Sequence, residues 1–266
     1  KIPDASAREA AIKAIERDFE ENEDDYGRKL YLIENCLYGV DIQPIAIQIS
    51  KLRFFISLIC DQRTNKNKAQ NCGVRPLPNL ETKFVAGNTL ISLDRGQDQL
   101  LLTNPRLAIL EEELAAVRHR HFAAQRRRDK LALQRRDSEI RKEIAVVLVG
   151  SMSVEASRQL AAWDPYDQNI SAPFFDVEWM YGITDGFNVV IGNPPYVQIQ
   201  KFSGKQEQKD WEKQGFSTYV KTGDVYSLFY ERGNMLLRDN GVLAYITSNK
   251  WMRANYGKAT RKYFLD

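Results

Sequence analysis

The sequence predicts an α/β protein: a parallel sheet flanked by helices and interrupted by a helical insertion. Three observations predict it. Short apolar runs ending at Asp, Asn or Gly alternate with segments whose apolar residues recur at helical spacing, the order of a βαβ chain. Residues 187–191 form an apolar run, the pattern of a strand buried on both faces. Residues 105–147 carry two leucine- and isoleucine-bearing stripes set among many arginines, unlike the rest of the chain.

The elements follow in order. Ile12, Ile15 and Phe19 predict a helix over residues 6–22, and the acidic run 20–25 reads as its solvated end. Residues 37–41 (Leu-Tyr-Gly-Val-Asp) predict a short buried strand ending in a carboxylate. Pro44 opens a helix, since proline suits a first helical turn, and Ile45, Ile49, Leu52 and Ile56 lie on one face of it to about residue 59. Residues 61–80 read as a loop, and 82–86 as a second strand ending at Gly87 and Asn88. Leu107, Leu110, Leu114, Val117 and Phe122 form one helical stripe; Leu131, Leu133, Ile140 and Ile144 form another. They predict one long helix or a helical hairpin projecting from the domain. Residues 163–180, with Trp163, Phe174, Phe175 and Trp179, predict a packed irregular segment. After the strand at 187–191 comes a polar, lysine-rich loop over 200–222, a helix over 225–237, a turn at Asn240-Gly241 and a strand over 242–247.

Bulk composition excludes several classes. The net charge of +3 neither demands nor excludes nucleic acid. No apolar run approaches the roughly 20 residues of a bilayer-spanning helix. Residues 1–30 are charged and lack the apolar region of a signal peptide. Cys36, Cys60 and Cys72 are odd in number and show no C-x-x-C spacing, which fits a reducing cytoplasm and speaks against a disulfide framework. His119 and His121 have no cysteine near them in sequence, so no metal site is predicted.

Asn193-Pro194-Pro195-Tyr196 carries the chemistry. It follows a strand directly, and in open α/β sheets ligands bind at the carboxyl ends of strands. Two prolines remove two backbone donors and hold the preceding residues extended. The Pro194 carbonyl and the Asn193 side-chain oxygen are then two acceptors, enough for both hydrogens of an exocyclic amine. Such a grip pulls the nitrogen toward sp³ geometry and frees its lone pair for attack. Tyr196 offers a face on which a planar base can stack, worth about 1–3 kcal/mol. A base in a duplex must be flipped out to reach it. Taken alone, the residues also fit a Pro-Pro turn that merely ends a strand.

Residues 188–196 resemble motif IV of S-adenosylmethionine-dependent N6-adenine DNA methyltransferases, in particular the large restriction–modification enzymes. Further likenesses occur in the family's order. Residues 37–44 followed by Lys51-Leu52-Arg53 resemble motif II; residues 86–90 resemble motif III; residues 224–231 resemble motif V; and residues 241–251 resemble the next strand. The resemblance implies a Rossmann-like S-adenosylmethionine-dependent methyltransferase sheet, here incomplete, with an α-helical insertion. It implies that Asp41 binds the ribose hydroxyls of S-adenosyl-L-methionine, that Ile42 packs on its adenine, and that Asn88 meets the adenine amine, where many relatives carry Asp. Asp224 joins the cofactor side. Physically, a carboxylate at a strand end suits two ribose hydroxyls; as turn or cap residues, Asp41 and Asp224 also have a purely structural reading.

The implied division is an N-terminal helical segment (1–36), a cofactor-side half of the methyltransferase domain (37–104), a helical insertion (105–160) and a catalytic half (161–266). The family's Gly-rich strand-loop has no counterpart before Leu37, and the target-recognition domain is absent after residue 266. The sequence is therefore expected to be a piece of a longer polypeptide, binding the cofactor weakly and inactive alone. Expected partners are double-stranded DNA with a flipped adenine and an endonuclease domain or subunit, with no membrane. Lys201, Lys205, Trp211 and Lys213 interleave basic and aromatic character beside the pocket and are candidates for DNA contact.

Two alternatives stay open. The tetrapeptide also occurs in enzymes methylating glutamine N5 or RNA guanine N2, whose targets are likewise planar exocyclic nitrogens. A non-catalytic DNA-binding module would rest on the arginines of 118–136, although the acidic residues between them also fit a solvated helical pair.

Overall fold

The computed structural model describes residues 25–62, 64–93, 105–148 and 152–265, together with Glu9 and Lys13. The helix expected over 6–22 lies outside the described residues except at Glu9 and Lys13, which are helical and ion-paired at 2.9 Å. Of the acidic run, only Asp25 is described, and it lies in α1 (Asp25–Asn35).

The expected strands form, and they pair in parallel. β1 (Gly39–Asp41) pairs with β2 (Phe84–Ala86), Gly39 opposite Phe84 and Asp41 opposite Ala86. β3 (Phe187–Gly192) pairs with β4 (Leu237–Tyr245), Gly192 opposite Tyr245. The single sheet anticipated from the sequence is instead two two-stranded sheets. A groove of about 780 Å³ separates them, walled by residues 37–40 on one side and 186–191 on the other. Tyr181 stands in this groove and donates its hydroxyl to the Gly39 carbonyl at 2.6 Å.

The Asn240-Gly241 turn does not precede β4 but sits within it. Phe187 faces Leu237, yet Val189 already faces Val242, so the turn is taken up as a bulge. Asn240 adopts φ 61°, the left-handed region that asparagine tolerates better than most residues. β3 is also not buried on both faces. Ile191 is 76% exposed, and Val189, Val242 and Ile246 share its condition. The apolar run supplied two apolar faces, but α8 (Tyr226–Met235) packs on one side of the pair, and no described residue covers the other.

α2 (Pro44–Cys60) forms with Pro44 in its first turn. The stripe of Ile45, Ile49, Leu52 and Ile56 faces solvent, with Ile45 63% exposed. The opposite face buries Ile47 and Leu58, which join Tyr26, Ile33, Leu80, Phe84 and Phe122 in one cluster.

The arginine-rich segment is a hairpin of α3 (Pro105–Ala123) and α4 (Arg127–Val147). It lies along the body rather than projecting from it. Leu107, Leu110, Leu114, Val117, Ile140 and Ile144 pack into the main core with Val85, Phe174, Phe175, Trp179 and Met180. Charge fixes it as well. Asp137 is fully buried and accepts from Arg118 Nε at 2.9 Å and Arg141 Nε at 2.6 Å. Arg118 also donates to the Trp179 and Met180 carbonyls, and Arg141 to the Trp163 carbonyl. α5 (Val154–Ala162) lies at the end of the segment read as a helical insertion, and two further short helices went unpredicted in segments read as irregular chain and loop: α6 (Val177–Tyr181) and α7 (Gln206–Gln214). Ser153 and Asp176 cap α5 and α6 by accepting from the Ala156 and Trp179 amides. α9 (Lys258–Tyr263) completes the described elements.

Candidate active site

Four strand ends organise the site. Asp41 closes β1, and the Gly87 amide just beyond β2 donates to its carbonyl at 2.9 Å, so Asp41 and Asn88 stand on adjacent strand ends. The backbone draws close here. A Cβ on Gly87 would lie 2.9 Å from the Phe174 carbonyl oxygen, so any side chain would displace that neighbour. Asp41 Oδ1 accepts from the Gln43 amide at 2.7 Å, tightening the turn into α2; the N-cap itself is Gln43. The structural reading of Asp41 is thus half right. One carboxylate oxygen serves the turn and the other is left on an exposed side chain. Ile42 is exposed beside it. Asn88 Oδ1 accepts from the Leu90 amide at 3.2 Å, which leaves its NH2 group and one lone pair for a ligand.

On the other sheet, Asn193 follows Gly192 at the end of β3, and the Ile246 amide donates to the Gly192 carbonyl at 3.1 Å. Asn193 and Pro195 are exposed and Pro194 is buried. Neither the Asn193 side chain nor the Pro194 carbonyl has a hydrogen-bond partner among the described residues. Both acceptors are therefore free at the strand end. Tyr196 is 52% exposed and donates its hydroxyl to the Ile246 carbonyl at 2.8 Å, which locks the ring beside β4. Its ring meets Tyr226 edge-on, centroids 6.0 Å apart.

Asp224 joins this group through the backbone. Gln198 and Asp224 form an antiparallel bridge, the Val225 amide donates to the Val197 carbonyl at 2.8 Å, and the Ile199 amide donates to the Gly223 carbonyl at 2.9 Å. The segment after Tyr196 is thus laced to the start of α8. Two tyrosines that the sequence did not single out complete the cluster. The Tyr226 and Tyr256 hydroxyls are 3.0 Å apart, and the Asp224 carboxylate acts on both phenols. Burial, then the neighbouring hydroxyl and carboxylate, pushes the Tyr226 phenol far up, and burial raises that of Tyr256, so both stay protonated at neutral pH. Tyr226 lies inside a segment with a recognisable pattern and was within reach of sequence reasoning; Tyr256, on a short 3-10 turn, carried no signal.

The two halves meet at residues 88–92. Leu90 packs with Ile199, Trp211, Phe216, Val225 and Leu228. Arg232 of α8 donates to the Thr89 and Phe175 carbonyls at 2.8 Å each. Of the candidates for DNA contact, Lys201, Lys205 and Lys213 are exposed. Trp211 is not available to stack a base. It is only 6% exposed and packs edge-on against Phe202, anchoring α7 to the body. Apolar burial of an indole outweighed the surface role that its lysine neighbours suggested. Glu231 holds the return from α7 by accepting from the Ser217 and Thr218 amides.

The histidines play separate parts. His119 is exposed, 3.4 Å from Glu34; His121 is fully buried, edge-on to Tyr166.

Short parallel strand pairs set among helices, with the tetrapeptide at a strand end, are consistent with a methyltransferase-type α/β fold. More closely, the chain belongs to the Eco57I restriction-modification methylase family, whose model matches residues 35–266. It is 26% identical to RM.MjaORFECS2P of Methanocaldococcus jannaschii over 85% of this chain and 23% of that protein. It is 32% identical to the type II restriction enzyme and methyltransferase RM.Eco57I of Escherichia coli over 30% of this chain and 8% of that one. It is 35% identical to the type II methyltransferase M.XamI of Xanthomonas campestris pv. amaranthicola over 30% of this chain and 16% of that one. The chain thus spans less than a quarter of the length of these relatives. No solved structure matches it. No helix among the described residues is long and apolar enough to cross a membrane.

Proposed function

We propose that this chain forms the acceptor site and part of the cofactor site of a DNA methyltransferase that moves a methyl group from S-adenosyl-L-methionine to adenine N6. One observation carries the reading: the Asn193 side chain and the Pro194 carbonyl are two unpartnered acceptors on a strand end whose surrounding backbone is bonded. Two acceptors match the two hydrogens of an exocyclic amine, and their pull leaves the N6 lone pair directed away from the ring. Tyr196, fixed through its hydroxyl, offers an exposed ring to a flipped adenine. Lys201, Lys205 and Lys213 follow on exposed chain and suit the phosphates flanking that base.

The donor set suits the cofactor. Asp41 keeps one carboxylate oxygen for ribose hydroxyls, Ile42 an exposed apolar surface for an adenine ring, and Asn88 an amide for the adenine edge. Asp224, bridged through its backbone to Gln198 just after the tetrapeptide, is the further cofactor-side candidate. When bound, S-adenosyl-L-methionine supplies an electrophilic methyl group. Asp41, Ile42 and Asn88 would hold the cofactor, and Asn193 and Pro194 would hold N6 with its lone pair free to take that methyl group directly, without a covalent enzyme intermediate. In this reading the two parallel pairs belong to one Rossmann-like sheet, and the groove between them marks its discontinuity.

The test is transfer of radiolabelled methyl by the whole protein containing this chain, offered DNA, RNA and a release factor. DNA labelling at adenine N6, abolished by Asn193→Ala, is expected. Wild-type transfer by Asn193→Ala, or labelling of RNA or release factor instead, would overturn the assignment.

A further inference from the structure

The arginines of the α3/α4 hairpin divide into two groups. Along the shafts each has an acidic partner: Arg118 and Arg141 on Asp137, Arg106 on Glu143, and Arg136 on Glu113 and Glu139. Around the turn the partners stop. Residues 120–135 hold six cations, Arg120, Arg126, Arg127, Arg128, Lys130 and Arg135, against one carboxylate, Asp129. None of the six has an ion pair among the described residues, and the five arginines are exposed.

The turn is nonetheless held firmly. Asn79, itself buried, donates its side-chain amide to the His121, Phe122 and Ala124 carbonyls at 2.6, 3.3 and 2.7 Å. Its backbone amide donates to the Phe122 carbonyl at 2.9 Å, and Phe122 is buried beside Tyr26 and Phe84. Fold stability does not account for the cations presented there. Arg126 is the N-cap of α4 and makes no side-chain cap, and cations at a helix start oppose the helix dipole.

We propose that this turn is a docking surface for the phosphate backbone of duplex DNA, separate from the strand-end site. A rigid, unpaired cluster of guanidinium groups matches regularly spaced phosphates, and binding gains from counterion release without reading sequence. The assignment of DNA rests on the methyltransferase reading. The position of the turn is distinct, because Asn79 precedes β2 whereas Asp41 ends its strand and Asn88 and Asn193 follow theirs. A duplex reaching both places is held at a second point, remote from the target base. The partner is fixed by charge alone, so the contact is indifferent to sequence.

The test is fluorescence anisotropy of the full chain with a short labelled duplex of arbitrary sequence, from low to moderate salt and without cofactor. The triple variant Arg126→Gln, Arg127→Gln, Arg128→Gln is expected to bind roughly tenfold or more weakly at low salt. Its slope of log affinity against log salt should fall by about 3, about one per lost phosphate contact. Replacing the same three by lysine should restore most of the slope. These side chains are exposed, so an unchanged thermal midpoint confirms the fold of each variant. Absence of DNA binding by the wild type, or an unchanged slope in the glutamine variant, overturns the proposal. So does polyglutamate competing as well as DNA at equal charge, which would mark an acidic protein as the partner. The assay involves no methyl transfer, so its failure leaves the role of Asn193 standing, and a failure of transfer leaves the turn untouched.

Discussion

Replacing Asp137 by Ala removes the carboxylate that both Arg118 and Arg141 share in the hairpin. Asp137 has no exposed surface, and the Arg118 and Arg141 side chains are 10% and 3% exposed. Charges so placed have lost most of their hydration, and deleting one partner of a buried ion pair costs about 3–5 kcal/mol. Two features pull in opposite directions within that range. One carboxylate serves two cations, which raises the cost. Each guanidinium also keeps other acceptors, the Trp179 and Met180 carbonyls for Arg118 and the Trp163 carbonyl and Asp164 for Arg141, which limits it. For a chain of this size each kcal/mol moves the melting midpoint by about 2–4 °C, so a drop of roughly 6–20 °C is expected. Differential scanning fluorimetry at neutral pH reads it directly. Asp137→Asn keeps an acceptor and should fall between Ala and wild type. A midpoint for Asp137→Ala within about 2 °C of wild type would refute the claim that this network fixes the hairpin.

Trp211→Ala should cost about 3–5 kcal/mol, since it empties a buried site shared with Leu90, Phe216 and Val225, whereas Lys213→Ala on the same helix should leave the melting midpoint unchanged. A stable Trp211→Ala protein would return that residue to the surface. His121 gives a pH dependence. Burial lowers its folded pKa below the ordinary 6.5, so the unfolded chain takes up a proton first as the pH falls. Its contribution is therefore present above pH 6.5 and is lost progressively below that value until the lowered folded pKa is reached. Denaturant midpoints between neutral pH and mildly acidic pH should fall less steeply in His121→Gln than in wild type; equal slopes would show that the ring is solvated.

Much of the site was legible because its chemistry is local in sequence. Asp41, Asn88 and Asn193 each stand at or one residue past the end of a short apolar run, and the structure puts Asp41 at the end of its strand and the two asparagines just beyond theirs. What sequence could not give was how the runs meet. Ile45, Ile49, Leu52 and Ile56 have the spacing of a buried stripe, yet tertiary packing chose the face with Ile47 and Leu58. Val189 and Ile191 have the residues of a covered strand, but covering requires a neighbour, and periodicity does not report neighbours. The arginines posed a similar problem. Whether acids offset them depended on which pairs touched, and contact separated the shafts from the turn. Tyr256 reached the site only through the chain's return after β4, across 30 residues from Tyr226.

The groove between the strand pairs has a consequence for the handling of the protein. Among the described residues, β1 and β3 are each paired with a strand on one side only, and their other edges border the groove. An open strand edge is a template on which another chain can lay down a ladder. Tyr181, held by its bond to the Gly39 carbonyl, crowds this space with its ring. It acts as a plug, and its removal would make the chain more prone to stick to itself as concentration rises.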